Sequence, residues 1–185
     1  MESAKTIIAF AGRKACGKGI AGNLLVEKYK AYPIDYSSSL HEALTIMGIP
    51  DTQSNIATLS MFLRTRFGAD AFQRAVSKKI SSSSSELISL FGARRVSDFD
   101  SIQKKYRFFL IYIDSNYENR YKRYTSRTKA GDSGLNEEEF QVKDNEEPEL
   151  QIESLKSLAY SVIENNGSFD EFQQKLLESF ARLRL

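Results

Sequence analysis

Cysteine is nearly absent. Cys16 stands alone among 185 residues, which excludes an internal disulfide and any zinc cage built on cysteine. Histidine is as scarce: His41 has no partner pattern around it and reads as structural or solvent-facing. No apolar run approaches the ~20 residues of a membrane-spanning helix, and the N-terminal apolar stretch lacks the layout of a signal peptide. A cytoplasmic protein with no membrane partner is therefore expected. No sign of charge dominates either. The formal net charge is +2, which leaves no footprint for coating nucleic acid, so no nucleic-acid partner is expected. Internal repeats are missing. What the chain does have is 41% hydrophobic and 27% charged residues over a length that suits one core, so a single domain across 1–185 is expected.

The most informative stretch is Gly12-Arg13-Lys14-Ala15-Cys16-Gly17-Lys18, directly after the apolar run Thr6-Ile7-Ile8-Ala9-Phe10-Ala11. It reads as a strand, a glycine-bounded loop and then a helix, the arrangement that turns backbone N–H groups into a phosphate cradle. Gly12 and Gly17 let the backbone curl around an anion, and Lys18 reaches the terminal phosphates as a point charge. The bland alternative is a chance glycine-rich turn; motif and context together favour the cradle. The pattern Gly-x-x-x-x-Gly-Lys is met, but the Ser or Thr that usually follows is replaced by Gly19, and then comes Ile20. Cys16 lies inside the loop near a helix N-terminus, where a thiolate is favoured, although an inert small residue is the simpler reading.

Along the rest of the chain, strands alternate with helices. Strands are read over Lys5 to Ala11, Ala31 to Tyr36 (ending at Asp35), Glu86 to Phe91, Phe108 to Ile113 and Leu158 to Ile163. Helices are read over Ile20 to Lys30, from the serine caps Ser37 to Ser39 through Met47, and as two units within Thr52 to Lys79 that meet near Phe67-Gly68. Further helices run from Asn116 to about Thr128, from Asn136 onward, and after a cap at Ser168. Ser81 to Ser85 reads as a solvated turn and Gly131 to Gly134 as a mobile loop. Five strands separated by helices imply an α/β fold whose parallel sheet is covered on both faces. Phe62, Phe67 and Phe72 are read as core packing, and Asp114 as the cap of the helix that follows it.

The loop at Gly12 to Gly19, the Arg-Tyr-Lys-Arg-Tyr-x-x-Arg segment at Arg120 to Arg127 and the late Asn166-Gly167 together resemble P-loop nucleoside-monophosphate kinases. The resemblance is greatest to the dephospho-CoA-kinase-like and deoxynucleotide-monophosphate-kinase-like branch. It implies a three-layer P-loop NTPase fold with about five parallel strands flanked by helices. It also implies a helical acceptor-binding insert, here 37–81, and an arginine-bearing lid with its following helix, here 120–147. The activity implied is transfer of the terminal phosphate of ATP, with Mg²⁺, to a small phosphorylated or hydroxylated acceptor. Lys18-Gly19 is similar to adenylate kinases, which place threonine next, where this chain has Ile20. Related kinases carry a carboxylate before the glycine at the end of the third strand; this chain reads Phe91-Gly92-Ala93-Arg94. With hydroxyl and carboxylate both missing, protein ligation of the metal is weak and its ligands stay unassigned. Dephospho-CoA kinases have an acidic residue in a place similar to Asp35, which implies a base or a metal-water ligand; a plain turn before the serine caps is equally open.

Arg120, Arg123 and Arg127 fall at i, i+3 and i+7 on one helical face, with Tyr117, Tyr121 and Tyr124 beside them as a packing stripe. Arginine forks suit phosphate oxygens, so the segment reads as a lid; the alternative is a solvated basic face. Arg64 and Arg66, before Phe67-Gly68, and Arg94, leaving the third strand at its carboxyl end, are candidates for holding the acceptor, against the alternative of ordinary surface arginines. The expected nucleotide set is Gly12, Arg13, Lys14, Ala15, Cys16, Gly17, Lys18, Gly19, Ile20 and Arg120. Lys18, Asp35, Arg123 and Arg127 are expected to act in the transfer itself. The competing function is a regulatory nucleotide-binding protein whose catalysis has decayed. A P-loop hydrolase switch is disfavoured, because no acidic strand end or switch signature is visible.

Overall fold

The computed structural model describes residues 5–68, 70–126, 136–145 and 151–185. Gly131 to Gly134, expected as a mobile loop, and Arg127, expected in the lid, lie outside the described residues. In chain order the elements are β1 (Thr6–Ala11), α1 (Lys18–Tyr29), β2 (Tyr32–Asp35), α2 (Ser38–Ile46), α3 (Gln53–Phe67), α4 (Ala71–Ser82) and β3 (Leu87–Phe91). They continue with α5 (Asp100–Lys105), β4 (Arg107–Asp114), α6 (Tyr117–Thr125), α7 (Glu137–Asp144), β5 (Ser161–Glu164) and α8 (Phe169–Arg182). The strands form one parallel sheet in the order β2-β3-β1-β4-β5.

The composition of β1 explains why helices cover both faces. Ile7, Ala9 and Ala11 enter the core shared with Phe72, Val76 and Ile80 of α4. Ile8 and Phe10 enter the opposite core, with Leu24 and Leu25 of α1 and Phe172, Leu176 and Phe180 of α8. β4 repeats the alternation, sending Leu110 and Tyr112 to the first core and Ile111 and Ile113 to the second. A strand apolar on both sides is stable only between two covering layers, which parallel crossovers supply. From β1 the chain first crosses to the β2 edge, and after β3 it crosses back past β1 to β4, so the direction of winding reverses at β1. The carboxyl end of β1 is therefore the topological switch point, where open α/β sheets take their ligands.

Several boundaries differ from the sequence reading. α4 runs on to Ser82, so the serine run begins inside a helix, and α6 ends at Thr125. Lys156–Leu158 forms a short 3₁₀ turn and β5 starts only at Ser161. The short α5 carries a pattern too brief to read. Asn116, not Asp114, caps α6, its side chain accepting from Asn119 N–H at 2.9 Å. Asp114 instead pairs with Lys156 at 2.6 Å. Phe72 is buried as expected, but Phe62 and Phe67 are 58% and 57% exposed. The reason is geometric: Ile56, Leu59 and Leu63 give α3 its inward stripe, which leaves Phe62 on the outer side. No helix among the described residues is long and apolar enough to cross a membrane.

Candidate phosphoryl-transfer site

The chain leaves β1 at Gly12 with φ 137°, passes Ala15 at φ 62° and enters α1 through Gly17 at φ 115°. These left-handed positions close the loop onto the helix start. A Cβ on Gly12 would collide with the carbonyl of Ile113, and one on Gly17 would lie 2.6 Å from Asn165 Nδ2, so both positions require glycine. No side chain caps α1 and its first turn holds no acidic residue. Its N–H groups and the positive end of its dipole are thereby left to face an anion. Lys18 folds back over this loop, its ammonium donating to the carbonyls of Gly12 at 2.6 Å and Arg13 at 2.9 Å. Cys16 is fully buried in the core under α1, so it supports the loop from within rather than offering a thiol to solvent. Gly19 and Ile20 turn outward: nothing lies within 4 Å of a Cβ built on Gly19, and Ile20 is exposed.

The loop is held from behind by residues the motif does not contain. Asn165, at the end of β5, donates from Nδ2 to the carbonyl of Cys16 at 2.8 Å. Arg123 donates to Ser115 Oγ at 2.9 Å and to the carbonyl of Asn165 at 2.7 Å, which ties α6 to the same support. Arg120, expected on the nucleotide, is turned inward instead. It is 4% exposed, forks onto Asp144 and donates to the carbonyls of Ser115 and, at 3.5 Å, Lys14. Arg13 meets Asp144 at 3.0 Å and Glu153 at 2.6 Å. Lys14 lies over the Tyr124 ring, 4.9 Å from its centroid. Of the arginines expected in a lid, Arg120 thus reaches the loop at Lys14, and Arg123 is joined to it through Asn165.

On the other side of β1, Asp35 ends β2 and accepts at Oδ1 from the N–H and hydroxyl of Ser37, at 2.6 and 2.7 Å. That turn starts α2, and the same oxygen lies beside Gly92 at the end of β3. A cleft of about 710 Å³ opens along the β2 edge, with Asn23, Asp35, Ser38, Glu42, Lys79 and Phe91 in its lining. The buried Asp98 accepts from the Arg64 side chain and from the backbone of Arg94. Arg64 Nη2 lies 3.2 Å from Oδ1 and Arg94 N–H donates to Oδ2 at 2.8 Å. Tyr36 donates its hydroxyl to the Asp98 carbonyl; burial, then the Asp98 charge, push that hydroxyl's pKa far above the usual range. Arg66 sits on the exposed side of the last turn of α3.

The Mg²⁺ implied by the resemblance finds few protein donors. The Phe91 ring, standing where the resemblance led to the expectation of a carboxylate, folds onto α1 at Gly22, where any Cβ would collide with it, and lies 6.3 Å from Phe10. Packing has taken that position over. Among the described residues, no group of three or more Asp, Glu, His or Cys is gathered closely enough to hold a metal ion. With no hydroxyl at Gly19, the described residues do not build a Mg²⁺ site from protein ligands alone.

Sequence reasoning missed Asp144, Glu153, Asp98 and the buried Asn165. Asp144 and Glu153 fall within an unremarkable acidic stretch, and Asp98 stands in a segment without any motif. Only Asn165 carried a signal, as the first residue of the polar turn that ends β5.

No family model matches the chain. Over 179 residues it is 26% identical to a UPF0200 protein of Methanoculleus marisnigri, covering 96% of both chains. Among solved structures it is similar to a gluconokinase from Sinorhizobium meliloti, at TM-score 0.60 and 16% identity over 99% of this chain and 95% of that one. It is also similar to shikimate kinase from Aquifex aeolicus, at TM-score 0.54 and 16% identity over 96% and 98%. These neighbours carry the kinase-like fold but not the narrower nucleoside-monophosphate branch that the motifs resembled. The chain has the fold of P-loop small-molecule kinases, a five-stranded parallel sheet flanked by helices.

Proposed function

We propose that this protein is an ATP-dependent small-molecule phosphotransferase. The observation that carries the reading is the loop from Gly12 to Lys18. Left-handed backbone at Gly12, Ala15 and Gly17 closes onto the uncapped start of α1, with the Lys18 ammonium folded over it. The loop amides hold the donor phosphates and Lys18 meets the terminal pair. Arg123 neutralises charge that develops on the transferred group, with Arg127 as its partner, and Arg120 supports the loop from behind. Arg64, paired with Asp98, and the exposed Arg94, whose backbone N–H meets the same carboxylate, hold an anionic part of the acceptor, with Arg66 as a further surface cation. Asp35 orients the acceptor oxygen. A nucleoside monophosphate or a dephospho-CoA-like alcohol suits this mixture of arginines and a carboxylate. Any Mg²⁺ arrives carried by the phosphates.

A regulatory nucleotide-binding protein is the second reading, favoured by the Phe91 ring in the place of a carboxylate. A thermal-shift panel separates the two. ATP and an acceptor together should raise the melting temperature beyond either alone, and ADP should form with that acceptor. Stabilisation by one nucleotide alone, with no phosphoryl transfer to any acceptor, would establish the regulatory reading instead.

A further inference from the structure

Asp144, the last residue of α7, is a carboxylate shared between two parts of the molecule. It is 4% exposed and receives Arg120 of α6 on both oxygens, Nη2 reaching Oδ2 at 2.7 Å. Arg13 of the anion loop reaches the same Oδ2 at 3.0 Å. Burial alone would raise the Asp144 pKa, but the hydrogen bonds and charge of Arg120, then those of Arg13, outweigh it and hold the group below the usual carboxylate range. A second contact joins the same elements. Ala15 of the loop packs with Tyr124 of α6 and Phe140 of α7 in a small buried cluster rimmed by Tyr117 and Tyr121. Arg13 adds a second cation to a buried carboxylate that Arg120 already holds, so the docked position of α7 is sensitive to where the loop places Arg13.

We propose that Asp144 is a positioning residue that couples occupancy of the anion loop to docking of the α6–α7 pair. It touches neither donor nor acceptor and acts through Arg13 and Arg120. A phosphate in the loop fixes the backbone from Arg13 to Ala15, which favours both the Asp144 contact and the Ala15–Phe140 packing. By linkage, the docked pair favours phosphate by the same factor. The coupling rests on the reading of the Gly12–Lys18 loop as a triphosphate site.

The test is amide hydrogen exchange across α7, with and without saturating ATP, on the wild type, Arg13→Lys and Asp144→Asn. ATP should slow exchange in α7 of the wild type by about fivefold or more, the lower end of ordinary coupling energies. That protection should vanish in Asp144→Asn and shrink in Arg13→Lys. A purely structural Asp144 would give a different result: Asp144→Asn would speed exchange by the same factor in both conditions and leave the ATP protection ratio intact, which would overturn the proposal. If Asp144→Asn does not fold, Arg13→Lys decides alone, and wild-type protection in that variant would be equally fatal. A wild type that binds ATP with α7 unchanged would sink the coupling only. A wild type that binds no triphosphate would sink both the coupling and the kinase reading.

Discussion

Gly17 and Gly19 stand two positions apart, yet a side chain means opposite things at each. At Gly17 the left-handed backbone and the nearby Asn165 leave no room, whereas at Gly19 a Cβ meets nothing within 4 Å. Gly19→Ser should therefore fold at least as well as the wild type, since serine is a better helix former than glycine by about 0.5 kcal/mol. It should also restore the hydroxyl that a P-loop usually offers a metal. Titrating ATP with and without Mg²⁺ checks this: the metal should strengthen binding more in the variant than in the wild type. A wild type with strong metal dependence that Asp35→Asn leaves untouched would place the metal ligand elsewhere. Asp144 gives a second expectation at this scale. Its pKa is lowered in the folded state, so its contribution to stability is full above the ordinary carboxylate range and is lost as pH falls through the depressed folded value. Unfolding curves of wild type and Asp144→Asn should differ most near neutral pH and converge in acid. A gap that stays constant into acid would mean that Asp144 is not the charged partner of Arg120 and Arg13. The course of the loop, from β1 through Gly12 and Gly17 into α1, was legible because its backbone demands are local. Asp144 was not, because a carboxylate's partners are set by tertiary packing and nothing in Glu137 to Glu153 marks one acid from another.

Among the elements, α6 and α7 show where a sequence pattern stops being informative. The stripe Tyr117, Tyr121 and Tyr124 read as a packing face, and it is one. Its counterpart is the fully buried Phe140, whose ring centroid lies 5.5, 5.5 and 4.9 Å from those three rings. That partner sits across a long connection, which periodicity does not bridge. Phe140→Ala should cost about 3 kcal/mol, as other buried aromatic truncations do, with the loss concentrated in opening of α6–α7. Chemical denaturation followed beside hydrogen exchange of α7 measures both; unchanged exchange there would mean that the aromatic cluster does not hold the pair. The strand ends were legible to within three residues, since short apolar runs bounded by polar turns suit strands buried on both faces. α5 was not, and neither was the outward turn of Phe62. α5 is too brief to show a period, and the outward turn of Phe62 depends on which face of α3 the rest of the chain covers.

At the scale of the whole molecule, the sheet order brings three separate sequence regions to the carboxyl end of β1: the anion loop, the β2–β3 ends with Asp35 and Asp98, and the α6–β5 support with Arg123 and Asn165. The alternation of strands and helices made this architecture legible. The surroundings of the arginines were not: Arg64 pairs with Asp98 through its side chain, Arg94 meets the same carboxylate through its backbone N–H, and Arg66 stands on the surface. The central claim is that the Gly12–Lys18 loop is a triphosphate site, and calorimetric titration of ATP into wild type and Lys18→Ala tests it most directly. Lys18 makes its contacts with loop carbonyls rather than with the apolar core, so the variant should keep its fold by melting curve. ATP affinity should fall by about tenfold or more, the loss of a charge-assisted contact worth roughly 1.5–3 kcal/mol. Equal affinities in two well-folded proteins would contradict the account.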